Sequence, residues 1–395
     1  MSAASVEDHA AHVRRLLDPL KTRTAETVLL SDALGRVAYA DVASPVDLPL
    51  FRNSQMDGYA VHSSAITTVP VTLEVVGTVA AGATGPSAVQ PGTSVKIMTG
   101  APVPEGADTI VPVEHTTAGD EHSVTIEVSR QPGDYIREQG SDVIAGTTLI
   151  HAGQLLEPRH IAVLAAVGLS HTQVRSRPRV AVITTGAELV EAGSSLRLGQ
   201  IFDSNGIALA SHLRSNGAEV TGVHRSSDEP TDFHRIVTAA AAESELIITS
   251  GGVSMGDFEV VKDVLLPLGG QFGPVRMQPG GPQGTAVVDG VPVLNFPGNP
   301  VSTVVSFLVF ARDVLRDAAG LPPVPTRVAK LAADVTSVAG KRQFLRGKLE
   351  GETVTLIAGA GSHLVAAMAW ADVLVDVPVE VTEMTAGSEV TVVPL

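Results

Sequence analysis

No cysteine occurs among the 395 residues. Disulfides, thiol nucleophiles, zinc–thiolate sites and cysteine-ligated iron–sulfur clusters are thereby excluded. Aromatic residues are scarce at 3%, although a hydrophobic share of 44% still suits globular folding. Basic residues are outnumbered, 27 to 42, and the resulting net charge of −15 argues against a nucleic-acid binder or a protein held on an acidic membrane surface. No apolar run is long enough to span a bilayer and no charged-then-apolar leader opens the chain. The expectation is a cytoplasmic protein. Internal repeats and low-complexity tracts are also lacking.

What the chain has in quantity is glycine and proline, 38 and 25 residues, which divide it into short strands and turns. Its length predicts two to four domains. Val6–Leu20 places Val6, Ala10, Val13 and Leu17 at helical spacing, and Thr27–Val42 reads as helical or mixed. From Ser44 to about Ile144 the texture changes. Val71–Val76, Ser94–Met98, Thr109–Val113 and Ser123–Val128 read as strands, which predicts an all-β domain inserted between helical parts. Glu157–Gly168 restores a helix, with Pro158 in its first turn.

From Arg179 strands and helices alternate. The strands are Arg179–Thr184, Glu219–His224, Glu245–Thr249 and Val291–Phe296; the helices are Asn205–Ser215, Thr231–Ala242, Phe258–Leu268 and Val301–Leu315. Such alternation predicts a parallel sheet covered on both faces. Beyond Leu321-Pro-Pro-Val-Pro the chain is strand-rich again, as expected of a small β domain.

Two of the strand ends carry the most information. Ser250-Gly-Gly-Val-Ser-Met-Gly-Asp257 follows one strand, and Pro297-Gly-Asn-Pro-Val-Ser302 follows another; each leads into a helix. Glycines let the backbone approach a ligand, and a helix start offers unpaired N–H groups with a partial positive charge. Two such turns predict one anion-binding crevice at the carboxyl ends of parallel strands. In so acidic a chain that crevice must be locally positive or metal-assisted. Carboxylates in nearby turns suit a divalent cation with hard oxygen ligands. Asp57 lies in Asn53-Ser-Gln-Met-Asp-Gly-Tyr-Ala60, Thr99 beside Gly100, and Glu188 in Thr184-Thr-Gly-Ala-Glu-Leu189.

Each segment also has a plain structural reading. Asp257 can cap the helix that starts near Phe258. Asp57 before Gly58 is ordinary turn chemistry. Glu188 can offset a helix dipole, and Asn299 with Pro300 can simply begin a helix. The histidines show no metal-ligand spacing.

The ordered set resembles the molybdopterin molybdenumtransferase family, the MoeA and gephyrin E-domain group, over essentially the whole chain. It is carried by NSQMDGYAV from Asn53, IMTGAPVPEGAD from Ile97, IREQGSDVIAG from Ile136, TTGAEL from Thr184, QIFDSN from Gln200, SGGVSMGDFEVVK from Ser250 and FPGNPVS from Phe296. The resemblance implies a multidomain α/β plus β protein. Residues 1–44 with 144–174 would form a discontinuous linker domain and 45–143 an inserted β domain. A molybdopterin-binding α/β domain would span 175–322, and a C-terminal β-barrel-like domain 323–395.

The resemblance implies a homodimer whose cleft is shared between subunits, so that Asp57 and Thr99 face the partner's α/β domain. It implies molybdenum insertion into molybdopterin, with Mg²⁺-dependent cleavage of the adenylylated pterin to give AMP. A molybdopterin adenylyltransferase and molybdoenzyme acceptors would be partners. By position, Asp228 and Asp257 would hold Mg²⁺. Ser204, Ser250, Gly251, Gly252, Pro297, Gly298, Asn299, Pro300 and Ser302 would cradle the pterin phosphate, and Asp57, Thr99, Asp142 and Glu188 would be polar residues of the catalytic cleft.

The chain also departs from the family pattern. Two lysines that help hold molybdate are replaced in Gln278-Pro-Gly-Gly-Pro282, and Ala187 stands where an acidic residue is usual. Gln278, Lys341 and Arg346 are the candidates to serve molybdate instead. A non-catalytic pterin-binding or dimeric scaffold protein is the alternative reading.

Overall fold

The computed structural model describes residues 3–82, 88–120, 122–253 and 259–395. The chain forms two compact units, one of residues 1–26 with 174–395 and the other of residues 27–173.

The larger unit is built on a six-stranded sheet. Its order is Glu219–Ser226, Arg179–Thr185, Leu246–Ser250, Val291–Phe296, Pro282–Val288, Gln271–Pro274. Alternation along single strands shows how both faces are filled. Val180, Val182, Leu246, Ile248, Leu294 and Phe296 join a core with Leu209, Leu213, Val305, Phe307, Leu315, the N-terminal helix residues Val6 and Val13, and the C-cap Leu17. Their neighbours Ala181, Ile183, Ile247 and Val293 face the other way, against Phe233, Ile236, Val237, Val261 and Leu265. Period-2 alternation between two apolar faces is the pattern of a sheet sandwiched by helices.

The first four strands run parallel, as expected. The last two are antiparallel, which corrects the all-parallel expectation. The cause is a two-residue connection. Asp289 and Gly290 both take positive φ, 51° and 83°, and a turn of that kind can join only antiparallel neighbours.

A second correction concerns Val301–Leu315, expected as one regular helix. Pro300–Ser306 is α-helical, Phe307–Ala311 widens into a π-helical turn, and Arg312–Ala319 is α-helical again. The wide turn is where Phe310 meets the His9 ring edge-on at 4.7 Å and Phe307 meets His212 at 5.3 Å.

The C-terminal part closes on itself. Arg342–Glu350, Thr353–Leu356, Arg327–Leu331, Glu389–Pro394 and Val373–Val377 pair in sequence, and the last pairs back to the first. This five-stranded barrel surrounds an aliphatic core of Ala329, Leu345, Val354, Val375 and Val392.

In the smaller unit the main sheet runs Thr109–Pro112, Gly58–Val61, Thr93–Ile97, Val71–Val79, Ser123–Ile126, Thr116–Ala118. Its two edge strands are joined by the single 3-10 turn Val113–His115, so the sheet must curl. Thr27–Val42 contains short strand and 3-10 segments and no α-helix, whereas Pro158–Ala166 is helical as expected.

Candidate functional site

The strands Leu246–Ser250 and Val291–Phe296 are adjacent and parallel, with Ser250 level with Phe296. Their carboxyl ends open into one cavity of about 950 Å³. Among the sequence candidates, Glu188, Ser204, Asp228, Ser250, Gly251, Gly252, Pro297, Gly298, Asn299, Pro300, Ser302, Gln278 and Lys341 all line it. The cavity sits where the chain leaves the Arg179 strand for one neighbour and later returns to the other side, the topological switch point at which open α/β sheets bind ligands.

Close approach explains the glycines. Gly251 has φ +103°, and a Cβ there would lie 2.6 Å from Thr185 Oγ1 and 2.8 Å from its carbonyl oxygen. A Cβ on Gly298 would meet the Gly251 Cα at 3.3 Å. The two turns therefore touch through backbone, and no side chain can stand between them.

Side chains then lock that spacing. The Asn205 amide donates to Ser250 Oγ at 2.9 Å and to the Gly298 carbonyl at 2.7 Å. Thr303 Oγ1 donates to the Pro297 carbonyl at 2.6 Å and lies 3.1 Å from Ser250 Oγ. Ser250 is 1% exposed, so its hydroxyl is a stitch between the turns. Asn299 occupies the N-cap position, but its side chain makes no capping bond; Thr303 N–H bonds the Asn299 carbonyl instead, and Val301 N–H bonds the Ser362 carbonyl.

Asp203, which the sequence reading passed over, is the buried anchor of this wall. Its carboxylate accepts from Thr184 Oγ1 at 2.7 Å and from Gly206 N–H at 3.0 Å, and Arg225 lies 3.7 Å away. It caps the helix Ser204–Ser215, so the Asp203-Ser-Asn205 order was a readable N-cap signal. Asp228 accepts from the Ala187 N–H at 3.0 Å and thereby holds the Glu188 turn.

Among the described residues four carboxylates line the cavity, on Glu188, Asp203, Asp228 and Glu259, against one lysine, Lys341. A polyanion can enter such a site only with a cation. The donors are all hard oxygens, the kind a divalent cation takes while keeping several waters. No three acidic or histidine side chains gather as a ready metal cage among the described residues. Asp257 lies outside the described residues.

The barrel supplies the remaining wall through Ala360, Gly361, Ser362 and His363, a loop not anticipated from sequence. Arg346 does not line the cavity. It is 3% exposed, and its guanidinium donates to the carbonyls of Gly359, Gly361 and Leu364. Burial pushes its pKa below the usual arginine value. Arg346 therefore supports that loop from behind, which corrects its placement as a candidate molybdate contact.

Asp57, Thr99 and Asp142 belong to the smaller unit and line no part of this cavity. Asp57 and Thr99 do come together. One Asp57 oxygen accepts from Thr99 N–H at 2.6 Å and Thr99 Oγ1 at 2.7 Å, and these bonds, the backbone one first, hold its pKa below the ordinary carboxylate value. Gly58 starts a strand so close to Val111 that a Cβ would meet its carbonyl oxygen at 2.2 Å. Asp142 is exposed, and its N–H bonds the Leu48 carbonyl at 2.9 Å.

Residues 4–168 match a family model described as the MoeA N-terminal region (domain I and II), residues 181–317 a probable molybdopterin binding domain, and residues 328–395 the MoeA C-terminal region (domain IV). Molybdopterin molybdenumtransferase 2 of Mycobacterium tuberculosis is 44% identical, the alignment covering 96% of this chain and 98% of the relative. The chain belongs to the MoeA family.

Other MoeA-family relatives agree. The molybdopterin molybdenumtransferase of Haemophilus influenzae is 31% identical, with 95% of each chain covered. A crystal structure of the molybdopterin biosynthesis MoeA protein of Pyrococcus horikoshii superposes with a TM-score of 0.80 at 30% identity, covering 100% of this chain and 99% of that one. Among the described residues no helix is long and apolar enough to cross a membrane.

Proposed function

We propose that this protein is a molybdopterin molybdotransferase of molybdenum cofactor biosynthesis, inserting molybdenum from molybdate into adenylylated molybdopterin and releasing AMP. The observation that carries the reading is the single cavity in which the Ser250–Gly252 and Pro297–Pro300 turns converge with Glu188, Asp203 and Asp228. Backbone N–H groups at the two turns bind the phosphate end of the pterin, because the glycines admit it and nothing larger than backbone separates them. Asn205, Ser250 and Thr303 keep the turns at a fixed distance. The all-oxygen donor set fits Mg²⁺, with Asp228 and Asp257 as its holders. That ion would neutralise charge on the bridging phosphate oxygens. Glu188 orients the adjacent polar groups of the pterin.

Asp57, Thr99 and Asp142 complete the cleft from a partner subunit of a homodimer acting in the cytoplasm. The depressed Asp57 carboxyl is ionised throughout the physiological range and serves as an acceptor. A molybdopterin adenylyltransferase supplies the substrate and molybdoenzymes receive the product.

Purified protein given adenylylated molybdopterin, Mg²⁺ and molybdate should release AMP, and molybdate should stimulate the release. Pterin binding with no molybdate-stimulated AMP would establish the second reading, a pterin-binding scaffold. The specific observation behind that alternative is the lysine-free turn Gln278–Pro282, which lines the cavity where the family carries two ammonium groups.

A further inference from the structure

The cavity has an apolar rim that binding a phosphate does not require. Leu189–Val190 and Ile201–Phe202 form a short parallel ribbon, Leu189 level with Ile201 and Val190 with Phe202. Backbone bonds fix it, from Ile201 N–H to the Glu188 carbonyl at 2.9 Å and from Asp203 N–H to the Val190 carbonyl at 2.8 Å. Among the described residues that line the cavity, Ile201 and Phe202 alone leave a large apolar side chain open, 54% and 43% exposed. Val253 and Met277 also line it but are committed to the core, at 3% and 1%. Phe202 is the one phenylalanine, tyrosine or tryptophan among the described lining residues.

One polar group accompanies this rim. Glu188 directly precedes the ribbon, and its carboxylate makes no hydrogen bond or ion pair among the described residues. It folds back over Gly186, where a Cβ would lie 2.6 and 2.8 Å from its two oxygens; glycine at that position leaves both of them room. Two open acceptors side by side fit a ring edge that carries two adjacent N–H donors. The aminopyrimidinone edge of a pterin has that pattern. Adenine offers a donor beside an acceptor, which would set an acceptor against a carboxylate oxygen. Three residues after Phe202, the Asn205 amide ties Ser250 to Gly298, so a short stretch of chain joins the apolar rim to the phosphate turns.

We infer that Ile201 and Phe202 form the platform on which the pterin ring lies flat, while Glu188 accepts from the two N–H groups of its aminopyrimidinone edge. The turns hold whatever carries the phosphate, and the ribbon selects the ring. Phe202 is thereby the specificity-determining residue for the heterocycle. The inference rests on the molybdotransferase reading for the identity of the ligand.

Titration calorimetry of the purified full chain with metal-free molybdopterin and, separately, with AMP tests it. Phe202→Ala should raise the molybdopterin Kd about tenfold, in keeping with the loss of one aromatic stacking contact, and should abolish the absorbance shift that stacking gives the bound pterin. Phe202→Tyr should change the Kd less than threefold. Glu188→Gln, which sets an amide N–H against one ring N–H, should also raise it about tenfold. The AMP Kd should stay the same in all three variants, and circular dichroism should show the fold intact, because these side chains are exposed. A loss of AMP affinity in Phe202→Ala with molybdopterin affinity unchanged would place adenine on the platform and overturn the inference. Unchanged affinity for both ligands would overturn it as well. In either event molybdate-stimulated AMP release by the unaltered protein would leave the functional reading standing, whereas no molybdopterin binding by the unaltered protein would overturn both.

Discussion

Two polar turns of this chain use the same chemistry at opposite levels of burial. In the larger unit, Ser250, Thr303 and Asn205 join two glycine turns through hydroxyls and amides that are largely withdrawn from water. In the smaller unit, Asp57 and Thr99 make a comparable pair of short bonds on an exposed loop. The first arrangement is structure and site at once, because breaking a bond leaves a buried group unsatisfied. The second can be altered without disturbing a core, so its residues are free to be selected for ligand contact alone.

The largest effect should come from the glycine contact itself. Gly251→Val forces a β-branched residue to φ +103° and drives its Cβ into Thr185. Backbone strain of about 1–3 kcal/mol and overpacking of about the same size should lower the melting temperature by several degrees and abolish pterin-phosphate binding in titration calorimetry. If the variant binds normally, the touching turns are not the phosphate cradle.

The same rule of burial applies to a titratable group on the N-terminal helix. His9 is packed against Phe310, and burial first, then His12, pushes its pKa down from 6.5 to about 4. The unfolded chain therefore takes up a proton at a higher pH than the folded one. Stability from neutral His9 is present above about 6.5 and is lost as the pH falls from there to about 4, by at most roughly 3 kcal/mol. Urea melts across that range should show the decline, and His9→Gln should flatten it. An equally steep decline in the variant would assign the acid sensitivity to other groups.

The legible parts of the molecule were those with a local signal. Val291–Phe296 is an apolar run that ends at a Pro-Gly pair, and it is observed with the same ends. The convergence of the two glycine turns followed from strand–helix alternation, which fixes where strand ends lie. What escaped was of two kinds. Asp289-Gly290 between Val288 and Val291 is a hairpin signal, and it makes the strands that flank it antiparallel within an otherwise alternating pattern. The Ala360–His363 wall, through the Val301 N–H bond to the Ser362 carbonyl, and the Gln278–Gln343 contact join residues 61 and 65 positions apart, and no spacing rule reaches that far. The π-helical turn at Phe307–Ala311 had no sequence signature, because its distinguishing contacts are with His9 and His212.

Asn205→Ala sharpens the contrast at an intermediate scale. Both amide bonds are lost, the Gly298 carbonyl and Ser250 hydroxyl each lose a donor, and one buried group left short costs about 1–3 kcal/mol. The melting temperature should fall by a few degrees, and pterin-phosphate affinity should fall about tenfold because the turns are no longer held at one separation. A loss of stability without loss of affinity would mean the amide only braces the fold.

Thr99→Val should have the smallest effect on the fold and is the cleaner test of the exposed turn. The hydroxyl bond to Asp57 disappears while the N–H bond, the larger cause of the depressed pKa, remains. The Asp57 carboxyl should therefore move part of the way back toward its ordinary value, which carbon-detected NMR titration can follow, with the melting temperature unchanged. Activity is where this variant separates the two regions. If Asp57 and Thr99 only shape a loop, molybdate-stimulated AMP release is unaltered. If they face bound ligand in the assembled protein, turnover drops although nothing buried has changed.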